Sequence, residues 1–148
     1  MSIKSIRTLA TLLVPALVLI FSSCVSNRYS LDNKPQSYII IGSGGGFTNL
    51  VASTYVYPNG QVFETQTFVD STITHPNIKR KHARRLFKDL EASKLKELKF
   101  SQPGNIYLFL TYVDEDEKYH FSWDAGGKLP PKEVSEFYIR ISELTNPE

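Results

Sequence analysis

The chain has 148 residues, of which 41% are hydrophobic and 22% are charged, a composition that indicates one globular domain and excludes a disordered chain. Its single cysteine excludes an intramolecular disulfide and a cysteine-rich zinc site. The 17 basic and 15 acidic residues balance once Lys4 and Arg7 are removed with the leader described next, so bulk attraction to nucleic acid is not expected.

Residues 1–23 have the three-part pattern of a secretory signal peptide. The start is basic, residues 9–21 (LATLLVPALVLIF) are uncharged and apolar, and two small serines follow. As a helix the apolar run reaches only about 20 Å, whereas the hydrocarbon core of a bilayer is about 30 Å thick. Pro15 also interrupts the run. The pattern therefore predicts a signal peptide that is cleaved off, and not a permanent membrane span.

The lone cysteine, Cys24, stands directly after this segment. Residues 21–24 (FSSC) resemble the lipobox of bacterial lipoproteins, in which small residues precede an obligatory cysteine. The resemblance implies that Cys24 receives a diacylglyceryl group as a thioether and becomes the mature N-terminus. Two or three fatty-acid chains would make the anchoring effectively permanent. Residues 25–26 lack the aspartate that often retains such proteins in the inner membrane, so we expect an outer-membrane lipoprotein that faces the periplasm.

The mature chain divides into a tether and one domain. Residues 25–36 (VSNRYSLDNKPQ) are polar and show no periodicity, which predicts that the lipidated cysteine and a flexible tether occupy residues 24–36. We expect a single domain over residues 37–148.

The first half of the domain predicts strands. Residues 37–41 form a short β-branched run that ends at a glycine, which favours a buried strand. Residues 50–57 and 61–69 are rich in β-branched and aromatic residues, and the Pro-Asn-Gly sequence between them favours a tight hairpin turn. Residues 70–77 are expected to form a loop.

The second half adds two helices and two strands. Apolar residues recur with helical spacing within residues 78–93 and again within residues 131–144. Between these helices, residues 105–113 and 118–123 predict a second hairpin, with a charged turn at residues 114–117. The order β-β-β-α-β-β-α predicts an α+β fold: an antiparallel sheet of about five strands with both helices packed on one face.

Residues 42–46 (GSGGG) are the first candidate for chemistry. A dinucleotide-binding G-x-G-x-x-G would need glycine where Phe47 stands, and a P-loop needs a Gly-Lys pair before a helix. Ile41 stands where the G-x-S-x-G nucleophile motif around Ser43 needs glycine. A wide turn or bulge between two strands is the simpler interpretation, and a loop that contacts a partner is the alternative.

The histidines and the acidic run lack the spacing of a metal site. His75, His82 and His120 are irregularly spaced, and residues 114–117 (DEDE) are not followed by the residues that an EF-hand requires. We therefore predict no catalytic residue, no cofactor and no metal. The alternative is a periplasmic hydrolase or glycan-acting enzyme that uses His120 and Asp124.

A short glycine-rich loop directly follows the first predicted strand: Ser43, Gly44, Gly45, Gly46 and Phe47. With the later order helix, hairpin, helix, this loop resembles the S-G-G-F-type loop of the emfourin-like inhibitors of thermolysin-type metalloproteases. Those are small proteins without catalytic machinery. The extra glycine and the hairpin at residues 58–60 depart from that family's pattern, so no inhibitory residue is carried over.

These observations predict a lipid-anchored, non-enzymatic binding domain. The partners expected are membrane lipid, through acylated Cys24, and a protein that contacts residues 43–47 or the exposed sheet face. Protease inhibition is one form such binding could take. A purely structural role in the envelope is a further alternative, and nucleic acid is not an expected partner.

Charge is unevenly distributed along the domain. Residues 79–99 carry nine basic and three acidic residues, whereas residues 101–148 carry four basic and nine acidic residues. A solvated helix face is the simpler interpretation of the basic segment. Contact with anionic lipid headgroups near the anchor is the alternative.

Overall fold

The computed structural model describes residues 28–146. The predicted signal peptide, the lipobox-like residues 21–24 and Cys24 lie outside the described residues. The elements of the described part are β1 (Ser37–Gly45), β2 (Leu50–Val56), β3 (Val62–Gln66), β4 (Val69–His75), α1 (Arg80–Ala92), a 3₁₀ turn (Lys94–Glu97), β5 (Ser101–Gln102), β6 (Ile106–Asp114), β7 (Glu117–Asp124) and α2 (Lys132–Thr145).

The strands form one sheet in the order β4-β3-β2-β1-β6-β7-β5. Every neighbouring pair is antiparallel except β5 and β7, which run parallel over two residues. The predicted combination of a sheet with two helices is confirmed. The prediction of about five strands is wrong, because β4 and β5 bring the sheet to seven.

The core lies on one face of this sheet. Ile39 is paired with Val56 on one side and with Tyr112 on the other, and paired residues point to the same face of a sheet. All three are buried, together with the apolar stripes of both helices, so the two helices pack on the same face. The fully buried helix residues are Ala83, Leu86 and Leu90 of α1 and Val134 and Ile141 of α2.

Strand β1 ends at Gly45, four residues beyond Ile41, the last residue of the predicted strand. Its glycines lie beneath aromatic rings of β6, on the face away from the helices. A Cβ on Gly42 would lie 2.6 Å from the ring of Phe109, and a Cβ on Gly44 would lie 2.5 Å from the hydroxyl of Tyr107. These glycines therefore permit a close approach of rings to backbone inside a strand, and the prediction that they end it is wrong.

Residues 70–77 contain an edge strand and not only the loop predicted from the sequence. Phe68 has a φ of 70° in the short turn that follows β3, and the chain then returns as β4. Nearly all of β4 is exposed on both faces. Because neither face is buried, its side chains do not follow the apolar–polar alternation by which a strand is recognised in a sequence.

Residues that precede β1 contact the sheet from Tyr29 onward. The Tyr29 amide donates a hydrogen bond to Gln61 Oε1 at 2.8 Å, and the Tyr57 hydroxyl donates one to the Ser30 carbonyl at 3.0 Å. The Lys34 ammonium lies 5.5 Å from the centre of the Tyr55 ring. The tether predicted over residues 25–36 therefore includes residues that lie against the domain. Residues 28–146 contain a complete core and are expected to fold without the preceding residues.

Gly42→Ala is expected to lower the free energy of unfolding by about 1–3 kcal/mol, because the added methyl group would overlap the Ala52 carbonyl oxygen and lie 2.6 Å from the ring of Phe109. Gly126→Ala is the matched control, since a Cβ at that position meets no atom within 4 Å. Urea denaturation followed by circular dichroism measures both. If the Gly42→Ala chain were as stable as the unaltered one, the ring would have to move aside without cost, and the role given to this glycine would be wrong.

Candidate functional site

The five residues of the predicted partner-binding loop are divided between a strand and a turn. Ser43, Gly44 and Gly45 belong to β1, whereas Gly46 and Phe47 lie in the turn that leads to β2. Gly45 and Gly46 have φ values of 96° and 74°, a region that favours glycine. The Gly46 amide also donates a hydrogen bond of 2.7 Å to the Asn105 carbonyl. The turn is thus fixed to the rest of the sheet.

Phe47 is the most exposed large apolar residue of the described chain. Its relative exposure is 108%, so its ring contacts almost nothing else in the domain. A ring in water at the tip of a hydrogen-bonded hairpin contributes nothing to the core. It is available to a partner, and as an aromatic side chain it loses little conformational freedom when it binds.

Four further exposed apolar residues lie at the same end of the sheet. Leu50 and Ile106 are paired with Gly45 from either side, directly beneath the β1–β2 turn. The β3–β4 turn is beside it, because the Thr67 amide donates a 2.9 Å hydrogen bond to the Val51 carbonyl. We call the following residues the apolar end: Phe47, Leu50, Phe68, Val69 and Ile106.

Of the apolar end, sequence reasoning identified only Phe47. Phe68 and Val69 fell at the end of a predicted strand and beside a predicted loop, and Leu50 and Ile106 were assigned to strands with no functional role. The sequence feature that could have indicated this surface was the pair of apolar residues at 68–69 within a polar stretch. Its position next to Phe47 depends on strand pairing, which the sequence does not display.

The structure places His120 and Asp124 on one face of β7 but does not bring them together. They are four positions apart along the strand, or about 13 Å. His120 Nδ1 lies 2.8 Å from Thr111 Oγ1, and Asp124 Oδ1 accepts a hydrogen bond of 3.2 Å from the Gly126 amide. Each therefore has a local partner of its own, and neither is within hydrogen-bond distance of the other.

On the sheet face away from the helices, aromatic side chains pack against one another near the Ser37 end of β1. Tyr57 contacts Tyr29 and Tyr38 edge to face, with ring centres 5.9 and 6.2 Å apart, and Tyr38 stacks on Tyr55. Burial raises the pKa of Tyr57 to about 12. These tyrosines are occupied by one another and by residues 29–34, which leaves the apolar end as the more accessible surface.

Among the clefts lined by described residues, two lie on the helix side of the sheet. One of about 330 Å³ lies between α1 and the start of β1, and its lining includes Ser37, Arg84, Lys88 and Asp114. The other, of about 240 Å³, lies between the helices beside Arg140. Neither cleft includes the glycines of β1 or the two candidate residues of β7.

The remaining histidines do not form a cluster. His75 Nε2 lies 2.8 Å from Glu64 Oε2, and this contact holds the pKa of the Glu64 carboxyl below its ordinary value. His82 is exposed on α1. Within residues 28–146, no three His, Cys, Asp or Glu side chains lie together as they would to hold a metal ion.

Comparison with known proteins adds no assignment: no family model matches the chain, and no curated protein matches it significantly. The resemblances to the lipobox and to the emfourin-like inhibitors therefore stay predictions that rest on the residues quoted for them. Neither helix within residues 28–146 has the length and apolarity that crossing a bilayer requires.

The pKa of His120 is expected to lie below its ordinary value of 6.5, because the ring is partly buried and Lys118 is near. Burial favours the neutral ring in the folded state, so the unfolded chain binds the proton first as the pH falls. The stability that the neutral ring contributes is complete above the unfolded pKa and is lost as the pH falls through the folded pKa. Nuclear magnetic resonance titration measures the pKa directly.

His120→Gln should therefore make unfolding less sensitive to pH between about pH 8 and about pH 5. His82→Gln is the matched control, because that ring is exposed. An unchanged pH dependence in the His120→Gln chain, or a His120 pKa above the ordinary value, would contradict the burial argument.

Proposed function

We propose that this protein is a lipid-anchored envelope lipoprotein whose domain binds a protein partner through the apolar end. The observation that carries the proposal is the position of five large apolar side chains that are exposed at one end of the sheet, four of them on two hairpins that are hydrogen-bonded to each other and the fifth, Ile106, at the start of β6. Contiguous exposed apolar surface of this kind marks an interaction site more often than a structural one. The preformed hairpins would bind without a large ordering cost.

The anchor is proposed from the sequence at residues 1–24. The basic start, the short apolar run and the small residues before Cys24 support cleavage and lipidation there, and the absence of an aspartate after Cys24 supports the outer membrane. The apolar end lies at the Gly45 end of β1, opposite Ser37, where the chain enters the sheet. The nine residues of β1 span about 25–30 Å. The binding surface would thus point away from the bilayer, towards the periplasm.

The chemistry of the apolar end favours a protein over a small molecule. The five side chains form a projecting surface and not a cavity, so they suit a partner with an apolar groove. Aromatic side chains are common among the residues that contribute most to binding at such surfaces, and the apolar end has two exposed rings, Phe47 and Phe68. The resemblance to emfourin-like inhibitors makes a thermolysin-type metalloprotease the first partner class to test.

Phe47→Ala is expected to weaken partner binding at least about 30-fold, the effect of removing a central aromatic anchor. The measurement is recovery of partners from detergent-solubilised envelope by the tagged full-length protein, followed by titration of the recovered partner or of a thermolysin-type protease. Ile139→Ala is the matched control, because Ile139 is 54% exposed on α2, away from the apolar end. Equal recovery with Phe47→Ala and with the control would remove the apolar end from the proposal.

The two alternatives predict other results. A hydrolase or glycan-acting enzyme predicts turnover that is lost in a folded His120→Ala chain and kept in Phe47→Ala. A purely structural envelope protein predicts no partner whose recovery depends on Phe47. The separation of His120 from Asp124 makes the enzyme the weaker alternative, because the hydrogen-bond partner that His120 has within residues 28–146 is the Thr111 hydroxyl and not a carboxylate.

A further inference from the structure

Helix α1 carries positive charges that do not help it fold. Lys79 is its N-cap residue and makes no side-chain capping hydrogen bond, and the first turn contains no acidic residue. Positive charge at a helix N-terminus is unfavourable, because the N-terminus is the positive end of the helix dipole. Local rules of helix stability that are broken without compensation point to a function for the residues concerned.

Three α1 cations without an ion-pair partner within residues 28–146 lie on one flank of the helix. Arg80, Arg84 and Lys88 recur every four residues, so they form a row along the helix. Lys81 lies about 100° further round the helix, and Lys79 is the N-cap residue before its first turn. Within residues 28–146, the acid on the opposite flank, Asp89, is paired with Arg140 at 2.7 Å and with Arg85 at 3.9 Å. We call this row and the two lysines at its N-terminal end, all of them exposed, the basic strip: Lys79, Arg80, Lys81, Arg84 and Lys88.

The basic strip lies at the end of the sheet opposite the apolar end. Arg84 and Lys88 line the 330 Å³ cleft together with Ser37, the first residue of β1, and Pro58, which follows β2. Two acidic residues also line it: Glu91, and Asp114, which is paired with Lys96. The Ile78 amide, just before the helix, donates a 2.9 Å hydrogen bond to the Gly60 carbonyl in the β2–β3 turn. The strip therefore borders the edge of the domain formed by the β2–β3 turn.

The chain enters the domain beside the same turn. Tyr29 hydrogen-bonds through both its amide and its carbonyl to the side chain of Gln61, the residue after Gly60. Five residues separate Cys24 from Tyr29, a reach of at most about 18 Å. A lipid group on Cys24 would bring the bilayer surface to the neighbourhood of the basic strip.

We propose that the basic strip binds the anionic phospholipid headgroups of the membrane in which the protein is anchored. The choice of a lipid surface as the occupant rests on the lipid anchor proposed above, whereas the affinity of the strip for anionic vesicles does not depend on it. The positive charge of these five unpaired cations is complementary to the negative charge of a surface of phosphate groups. Each strengthens binding to such a surface about fivefold. The contact orients the domain with its apolar end away from the bilayer.

The acidic β6–β7 turn limits the orientations in which the domain can approach the bilayer. Glu115 and Asp116 lie at the same end of the sheet as the basic strip. The β2–β3 and β6–β7 turns are three strands apart, or about 14 Å. Repulsion of the acidic turn from the same headgroups tilts the domain onto the corner formed by α1 and the β2–β3 turn.

The test uses residues 28–146, which contain the complete core, with circular dichroism to verify folding. Cosedimentation with vesicles of phosphatidylglycerol and phosphatidylcholine, and with phosphatidylcholine alone, measures binding. We expect binding to the anionic vesicles only, lost in high salt. The variant Arg84→Gln/Lys88→Gln should bind them about 30-fold more weakly. The control Lys128→Gln/Lys132→Gln removes the same charge near the apolar end and should bind as the unaltered domain does.

Equal binding to both vesicle types, or equal loss in the two double variants, would overturn the proposal, since the second result would mean that only net charge matters. The full chain in the same vesicles supplies a second measurement that does not need the isolated domain. A fluorophore on Lys81→Cys should be quenched by a headgroup quencher on anionic vesicles, and one on Lys128→Cys should not. A mass spectrum that shows unmodified Cys24 would contradict the anchor alone and leave the vesicle result standing.

Discussion

The contact between the aromatic rings of β6 and the bare backbone of β1 is the constraint on which the rest of the structure depends. Phe109 and Tyr107 lie over Gly42 and Gly44, so β1 stays extended and paired on both sides up to Gly45. A side chain at Gly42 would overlap the Ala52 carbonyl oxygen and meet the Phe109 ring at 2.6 Å. Because β1 is the central strand, its full length sets the register of the β1–β2 hairpin and the position of its tip. The exposed Phe47 is thus placed by a packing interaction three to five residues away.

Antiparallel pairing then gives the domain two chemically different ends. Successive turns alternate between the ends of such a sheet, so the β1–β2 and β3–β4 turns share one end, and the β2–β3 turn lies at the other. The first end collects apolar side chains, and the second collects the chain entry and the unpaired cations of α1. This separation unites the two proposals: the charged end would meet a lipid surface, and the apolar end would meet a protein.

Prediction from sequence succeeded where a pattern is local. The Pro-Asn-Gly hairpin, the amphipathic stripe from Ala83 to Leu90 and the β6–β7 hairpin all depend on neighbours within a few residues. It was wrong where the cause lies elsewhere in the chain. Gly42 and Gly44 were interpreted as the end of a strand, because the rings that cover them are more than sixty residues away in the sequence. The residues of β4 were interpreted as a loop, because an exposed edge strand has no buried face to mark it.

The sequence by itself determined the class of fold, the two helices and the candidate lipid-attachment residue, since each follows from side chains that are close along the chain. It also revealed the excess of positive charge around α1 and singled out Phe47. Only the tertiary structure decided that Phe68, Leu50 and Ile106 surround Phe47, and that the basic strip lies at the opposite end beside Tyr29. Those placements depend on strand order and register, because residues far apart in sequence become neighbours only through long-range backbone pairing and burial of a shared core.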